Sequence, residues 1–257
     1  MRSGQRPVTP CPSGQTAAVT DSLLPFPDDW TRALCIAAHP DDLEYGTASA
    51  VAAWTAAGRS VAYALVTSGE AGIDSLDPEE CAPIREAEER AGAAEVGVGQ
   101  VDFLGFRDGV VEYGLPLRRA LAGAIRRFRP ELVVTTNPEP RPAWGGIDQA
   151  DHRAVGLAAV DAARDAGNRW VFRELLDEGL EPWKVRYTAI GMSTRPSHAV
   201  DVTSSIDRGV ASLRAHQRYL QGLGGAAFDP DEFLRGSAAK TGGQFGGRLA
   251  VSYELLE

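Results

Sequence analysis

Short apolar runs alternate with stretches of helical periodicity along most of the chain. Residues 33–38 and 132–136 are runs of mainly apolar and small residues, with the length of buried strands. Residues 115–128 repeat apolar positions at helical spacing, and this stretch ends just before Pro130, which cannot continue a helix. Because strands and helices alternate, the pattern predicts an α/β fold with a Rossmann-like, mostly parallel sheet flanked by helices.

The same pattern predicts the remaining elements and the domain limits. Further strands are predicted at residues 60–67, 101–104, 187–192, 198–202 and 249–253, and further helices at 47–57, 78–96, 152–166 and 204–220. The glycine-rich segment 222–247 is predicted to be a loop. Residues 1–28 lack periodicity, which predicts a flexible N-terminal arm, and residues 29–257 are predicted to form a single domain.

Composition narrows the class of protein. The 257 residues are 44% hydrophobic and 24% charged, which is ordinary for a globular protein and sufficient for one large α/β domain. The net charge of −9, without a cluster of Lys and Arg, argues against a nucleic-acid partner. No apolar run is long enough to span a bilayer. Three widely spaced cysteines argue against a disulfide framework and predict a cytoplasmic location.

The most informative stretch is His39-Pro40-Asp41-Asp42, which directly follows the first predicted strand. Ligands of an open α/β sheet bind beyond the carboxyl ends of its strands, so these side chains are placed where a site is expected. Pro40 has a fixed φ and stiffens the turn. A polar turn that caps the next helix is the alternative, but a cap accounts for only one of the two acids. Neither a dinucleotide fingerprint nor a phosphate-loop pattern occurs in the sequence.

This stretch contains the residue types of a catalytic metal site. Zinc in such a site takes three nitrogen or oxygen donors from the protein and keeps one position for water. His39 and Asp42 are three residues apart and can reach one ion, while the loop 148–152, after the predicted strand 132–136, offers further Asp and His donors. Asp41 is then free to act as a general base that takes the proton from the metal-bound water.

Two motifs resemble those of the LmbE/PIG-L-like zinc-dependent de-N-acetylases: Ala-His-Pro-Asp-Asp at residues 38–42 and Asp-His at residues 151–152. The resemblance covers the chain from about Leu24 to the C-terminus, which implies that residues 29–257 are the catalytic domain. The resemblance also implies one Zn²⁺ per chain held by His39, Asp42 and His152, with other divalent metals as alternatives. It further implies Asp41 as the general base, and Arg85 and Asp108 as substrate-binding residues.

One departure from the family pattern bears on the mechanism. Many relatives carry a histidine where this chain has Gln149, and others use a tyrosine where it has Ile147. An amide can donate a hydrogen bond to an oxyanion but cannot deliver a proton, so Gln149 is predicted to bind substrate. The leaving amine could take its proton from Asp41 or from His198. A structural role for His198 is an equal alternative. His216, in a polar helical stretch, is predicted to lie on the surface.

The motifs predict a metal-dependent hydrolase, and the resemblance implies that it removes an acetyl group from an N-acetyl amino sugar or from a conjugate containing N-acetylglucosamine. Its partner is then a small-molecule substrate, and the sequence is compatible with a homo-oligomer. An amidase that acts on a thiol conjugate or a secondary metabolite is the alternative within this class. A catalytically silent sugar- or metal-binding module is the alternative outside it, and the missing glycine fingerprint argues against a nucleotide-dependent oxidoreductase.

Overall fold

The structure is a computed structural model that describes residues 22–142, 145–223 and 228–257. Its strands are β1 (Leu24–Pro25), β2 (Arg32–Ala37), β3 (Ser60–Leu65), β4 (Gln100–Phe103), β5 (Leu132–Thr135), β6 (Tyr187–Gly191), β7 (His198–Asp201) and β8 (Ala250–Leu256). Its helices are α1 (Asp42–Gly46), α2 (Ala48–Ala56), α3 (Pro78–Glu95), α4 (Leu115–Phe128), α5 (Ala150–Asp165), α6 (Glu174–Asp177), α7 (Ile206–Arg214), α8 (Gln217–Gly222) and α9 (Pro230–Gly242).

In the described part of the chain, one mixed sheet of eight strands has the order β1-β7-β8-β6-β5-β2-β3-β4. Strand β8 runs antiparallel to β6 and β7, and every other neighbouring pair is parallel. The predicted α/β fold with a mostly parallel sheet flanked by helices is therefore confirmed.

Alternate side chains of β2 point to the two faces of the sheet and contribute to two hydrophobic clusters. Leu34 and Ile36 pack with residues of α4 and α5 on one face. Ala33, Cys35 and Ala37 pack with residues of α2, α7 and α9 on the other face. Because helices bury both faces, the sheet can present ligand-binding groups only at the ends of its strands.

The register of β2 and β5 brings two distant segments together at the carboxyl ends of these strands. The two strands pair in parallel from Ala33 and Leu132 to Ile36 and Thr135. Since they are adjacent and parallel, the segments that lead from them into α1 and α5 leave the sheet on the same edge. This is where the candidate site lies.

The prediction of a loop over residues 222–247 is wrong, because this segment contains α9. Asp229 caps the first turn of α9 by accepting a hydrogen bond from the backbone N–H of Asp231 at 3.0 Å. Leu234 and Ala238, one turn apart, are buried in the core. The glycines of the segment lower its helix propensity, but packing of this apolar face against the sheet and α7 overrides the propensity.

The predicted helix 204–220 is two helices, α7 and α8, because the chain turns at Ala215 and His216. This turn points His216 into the protein, where its exposed fraction is 0%. The prediction that His216 lies on the surface is therefore wrong.

Part of the predicted N-terminal arm belongs to the fold. Within residues 22–28, Leu24–Pro25 pairs in parallel with β7, and Phe26 packs against the core. The folded domain thus begins before residue 29, and residues 1–21 of the predicted arm lie outside the described residues.

Among the described helices, none is long and apolar enough to cross a membrane. Cys35 and Cys81 are buried, free thiols, and Cys11 lies outside the described residues. Burial raises the pKa of the Cys35 thiol, so Cys35 acts as a core residue rather than as a reactive group.

Candidate metal and catalytic site

The loop between β2 and α1 is bent so that His39, Asp41 and Asp42 line one cavity. Asp41 has a φ of 94°, in the left-handed region that favours glycine and, among other residues, Asn and Asp. Asp42 closes the turn, because its Oδ2 accepts the backbone N–H of Ala38 at 3.1 Å and that of His39 at 2.9 Å. These hydrogen bonds hold the loop in a defined arrangement beyond the carboxyl end of β2.

The three predicted metal ligands His39, Asp42 and His152, here called the catalytic donor set, come together in the structure. Asp42 Oδ1 lies 3.0 Å from His152 Nε2, and Asp42 Oδ2 lies 3.6 Å from His39 Nδ1. His152 Nε2 is buried and makes no hydrogen bond to any described residue. The donor atoms all lie within 4.8 Å of one another. A carboxylate that lies between two buried imidazoles offers three donors to one divalent metal ion.

Asp148 holds His152 in the orientation that such a site needs. Its Oδ1 lies 2.7 Å from His152 Nδ1, one helical turn away, and both residues are buried. Burial by itself would lower the pKa of His152, but the carboxylates of Asp42 and Asp148 raise it to about 10. Because Nδ1 is bonded to Asp148, Nε2 is the nitrogen that faces the donor set.

Replacement of Asp148 is expected to loosen the metal. In Asp148→Ala the imidazole of His152 loses its carboxylate partner, so metal affinity should fall by about 10–100-fold. Competition with a chromophoric chelator measures this affinity. Asp148→Asn, which keeps an oxygen in the same place, should lose less. Wild-type affinity in Asp148→Ala would show that His152 needs no such partner.

Two carboxylates contact the other ring nitrogen of His39. Nε2 lies 2.9 Å from Asp108 Oδ1 and 3.3 Å from Asp151 Oδ2. Asp151 is itself held by the backbone N–H groups of Gly109 and Val111, at 2.8 and 3.1 Å. This arrangement leaves Nδ1 of His39 for the metal. Asp108 also lines the cavity, and its predicted contact with substrate stays a prediction.

Arg85, predicted to bind substrate, contacts the predicted base in the structure. Its Nη2 lies 3.1 Å from Asp41 Oδ1, and the same nitrogen donates to the Pro40 carbonyl. The guanidinium stacks on Tyr219, 3.9 Å from the ring centroid, and Arg85 is only 1% exposed. Sequence reasoning missed Tyr219, which no local motif marks. Arg85 lines the cavity as well, so a contact with substrate stays a prediction.

Asp41 keeps one oxygen free and has a pKa suited to proton transfer. Its Oδ2 is buried and has no hydrogen-bond partner in the described part of the chain. Burial raises the pKa of Asp41 to about 7, although the charge of Arg85 opposes this rise. A general base is most effective when its pKa lies near the working pH. Asp41 can therefore accept a proton from a water molecule in the cavity.

Arg85→Ala is expected to weaken catalysis and to leave the metal content intact. Without the guanidinium, Asp41 loses its charge partner and its orientation, and misplacement of a catalytic group can cost on the order of 10²-fold in turnover. Metal content and kcat should be measured on the same preparation. Arg85→Lys, which keeps the charge but not the stacking on Tyr219, is the matched variant. Loss of metal or of folding in Arg85→Ala would instead assign Arg85 to a purely structural ion pair.

The site opens into a cavity of about 1020 Å³. This is at the upper end of the volumes of small-molecule pockets, roughly 300–1,000 Å³. Tyr45 and Met192 line it next to the catalytic loop. Residues of α9 and the turn after it that line the cavity are Phe233, Leu234, Ser237, Ala238, Lys240, Thr241 and Gln244. The lining thus combines aromatic, hydroxyl and amide groups.

The residues at which the chain departs from the family pattern lie in different places. Gln149 is the N-cap residue of α5 and lines the cavity, whereas Ile147 is 89% exposed. His198 lies in β7, with its Nδ1 2.9 Å from Ser197 Oγ, and is not among the described residues that line the cavity. Of the two predicted proton donors, Asp41 is the one at the site.

A mostly parallel sheet carries two histidines, one aspartate and a further carboxylate with a free oxygen at the carboxyl ends of its strands, an arrangement that fits a metal-dependent hydrolase. The family profile described as "PIG-L: GlcNAc-PI de-N-acetylase" matches residues 34–163, from β2 to the last turn of α5. The chain belongs to this family, which confirms the resemblance found in the motifs.

The chain is similar to several deacetylases from different organisms. The diacetylchitobiose deacetylase of Thermococcus kodakarensis is 29% identical over 195 residues, covering 75% of this chain and 71% of that protein. The 1D-myo-inositol 2-acetamido-2-deoxy-alpha-D-glucopyranoside deacetylase of Kineococcus radiotolerans is 28% identical, covering 74% and 69%. The solved structure of the N,N'-diacetylchitobiose deacetylase from Pyrococcus horikoshii, bound to its inhibitor MPG, superposes with a TM-score of 0.79 at 26% identity, covering 89% of this chain and 84% of that one.

Proposed function

We propose that this protein is a zinc-dependent de-N-acetylase that hydrolyses the acetamido group of an N-acetyl amino sugar or of a conjugate containing N-acetylglucosamine. The observation that carries the proposal is the free Oδ2 of Asp41 beside the catalytic donor set. Relatives named as deacetylases of N-acetylated sugars support the substrate class. A catalytically silent binding module would have no need of a buried base with a free oxygen.

The reaction adds water across the amide bond, so that acetate gains an oxygen and the amine gains a proton. A divalent ion bound to the donor set supplies Lewis-acid chemistry, since it acidifies water and polarises the acetyl carbonyl. Asp41 Oδ2 accepts a proton from the attacking water, while Arg85 orients the carboxylate through Oδ1. The Gln149 amide donates to the developing oxyanion. Asp41 then delivers its proton to the leaving nitrogen.

Zinc is the proposed metal because the donor set combines two imidazoles with one carboxylate. Catalytic zinc sites take three such donors and keep one position open, whereas Mg²⁺ and Ca²⁺ prefer oxygen donors only. Elemental analysis of protein purified without added metal should therefore find zinc. Protein that contains no metal and hydrolyses amides after chelator treatment would contradict this assignment.

The remaining expectations follow from the same proposal. The catalytic domain is proposed to comprise residues 29–257 together with the preceding segment 24–26 that packs on them, with a small N-acetylated molecule as substrate. A cytoplasmic location stays a prediction, and a homo-oligomer is compatible with the proposal.

Release of free amine from a panel of N-acetylated compounds tests the proposed function. The panel contains N-acetylglucosamine, its glycosides, diacetylchitobiose and an N-acetylated thiol conjugate. Zinc-loaded protein is expected to release amine and acetate in equal amounts from sugar substrates, and a chelator should abolish the release. If loaded protein releases amine from none of the sugars, the proposal fails, and release from the thiol conjugate alone would favour the amidase alternative.

A further inference from the structure

A second group of metal-ligating side chains lies behind the catalytic loop. It consists of Glu44 in α1, Glu89 in α3 and His216 between α7 and α8, and its donor atoms lie within 4.8 Å of one another. The exposed fractions of these residues are 1%, 0% and 0%. The proposed deacetylation uses none of the three directly. They are called the rear cluster below.

Each member of the rear cluster has buried polar atoms that no described group satisfies. Glu44 Oε1 accepts from Ser212 Oγ at 3.1 Å, and Glu89 Oε2 accepts from the backbone N–H of Asp41 at 3.0 Å. The other carboxylate oxygen of each Glu and both ring nitrogens of His216 have no hydrogen-bond partner in the described part of the chain. Buried polar atoms are rarely left unpaired, so a bound ligand is expected to contact these four atoms.

The distances from His216 to the two carboxylates are compatible with donors around a shared ion. His216 Nε2 lies 3.8 Å from Glu44 Oε2 and 3.8 Å from Glu89 Oε2. Hydrogen bonds between such atoms span about 2.7–3.2 Å, so these separations are too long for them. Two donors on one zinc each lie about 2.0–2.2 Å from it, and can therefore be up to about 4.2 Å apart.

The charge balance also favours a cation. Within the described residues, neither Glu44 nor Glu89 is paired with a Lys or an Arg, and His216 is the basic side chain within ion-pair distance of both. Burial of two carboxylates is strongly unfavourable unless their charge is compensated. A divalent cation bound to both carboxylates and to a neutral imidazole makes the cluster neutral.

The local backbone is shaped to bring His216 against the two carboxylates. The break between α7 and α8 gives His216 a non-helical φ of −80° and ψ of 54°. On the opposite side, a Cβ at Gly92 of α3 would lie 3.1 Å from His216 Nε2, so a glycine there makes room for the ring. Sequence reasoning could not find this approach, because it depends on the packing of α3 against α7 and α8.

We propose that the rear cluster binds a second divalent cation, of the chemical class that zinc represents, at a buried site whose donors are distinct from the catalytic donor set, with Glu44 also lining the cavity. The ion fixes the carboxylate of Glu89, and Glu89 Oε2 holds the backbone N–H of Asp41. The second site thereby supports from behind the left-handed conformation in which Asp41 presents its free oxygen to the cavity. Because the three donors come together only in the folded chain, binding of the ion stabilises the fold.

Zinc stoichiometry tests the second site, with Zn²⁺ alone as the probe. The proteins are loaded with Zn²⁺, freed of excess metal by gel filtration and analysed for zinc per chain. Wild type is expected to hold two zinc ions, and the double variant His39→Ala/His152→Ala, which lacks both catalytic imidazoles, is expected to hold one. Addition of His216→Ala to the double variant should remove the last ion, whereas addition of His198→Ala, a matched loss of one histidine, should leave it.

The outcomes decide the proposal in either direction. A double variant without zinc overturns it, and so does a His216→Ala triple variant that holds as much zinc as the His198→Ala control. In that case the rear cluster holds protons or water instead of a metal. If His216→Ala does not fold by circular dichroism, Glu89→Gln in the same background replaces it, since it keeps the side-chain shape, and retained zinc there again overturns the proposal. Zinc should raise the melting temperature of the double variant and not that of the triple variant that contains His216→Ala.

Discussion

Asp41→Asn is expected to lower turnover by about 10²–10⁴-fold, the usual contribution of a positioned proton acceptor to the rate. The metal content is expected to stay unchanged. Asparagine has nearly the size of aspartate and tolerates the left-handed backbone of this position, where φ is 94°. Its amide oxygen can keep the contact with Arg85, which is 3.1 Å in the structure. The substitution therefore removes proton transfer and little else.

The measurement is kcat and metal content in the same preparation of wild type and Asp41→Asn, with circular dichroism as the control for folding. Near-normal turnover in a metal-loaded Asp41→Asn would show that another group accepts the proton. An empty donor set in this variant would assign Asp41 to the metal instead.

Asp42→Ala is expected to lower metal affinity by more than about 100-fold. This exceeds the effect expected when a residue that hydrogen-bonds to a metal ligand is removed. Asp42 has two tasks in the structure: Oδ1 faces His152 Nε2 at 3.0 Å, and Oδ2 holds the backbone N–H of His39 at 2.9 Å. Alanine removes both the donor and the restraint on the loop. Activity should partly return at high added metal, because the two imidazoles remain.

Comparison of the variants of the two adjacent acids tests which of them binds the metal and which acts as the base. Titration of zinc into Asp42→Ala and Asp41→Asn, followed by chelator competition and by turnover, should separate loss of metal from loss of the base. If Asp41→Asn loses the metal while Asp42→Ala keeps it, the two roles are exchanged. If both variants keep metal and near-normal turnover, the His39–Asp42 loop is not the active site.

The amino-acid sequence by itself determined the α/β fold and the position of the site along the chain. β2 and β5 were predictable because a strand buried on both faces of a parallel sheet is a continuous apolar run. The beginning of α3 was predictable from Pro78, the first residue of the helix, with Asp77 as its N-cap. The proximity of His39 and Asp42 was predictable because they belong to a single turn, and their assignment to one ion stays a prediction.

The tertiary structure alone decided the contacts between distant segments. The pairing of β2 with β5 brings His152 to Asp42, and the packing of α3 beneath the loop places Arg85 and Glu89 on Asp41. Helix α9 forms in a glycine-rich segment because its apolar face is buried, which propensity does not reveal. Strand register and helix packing depend on the whole core, and a local pattern of residues contains no record of either.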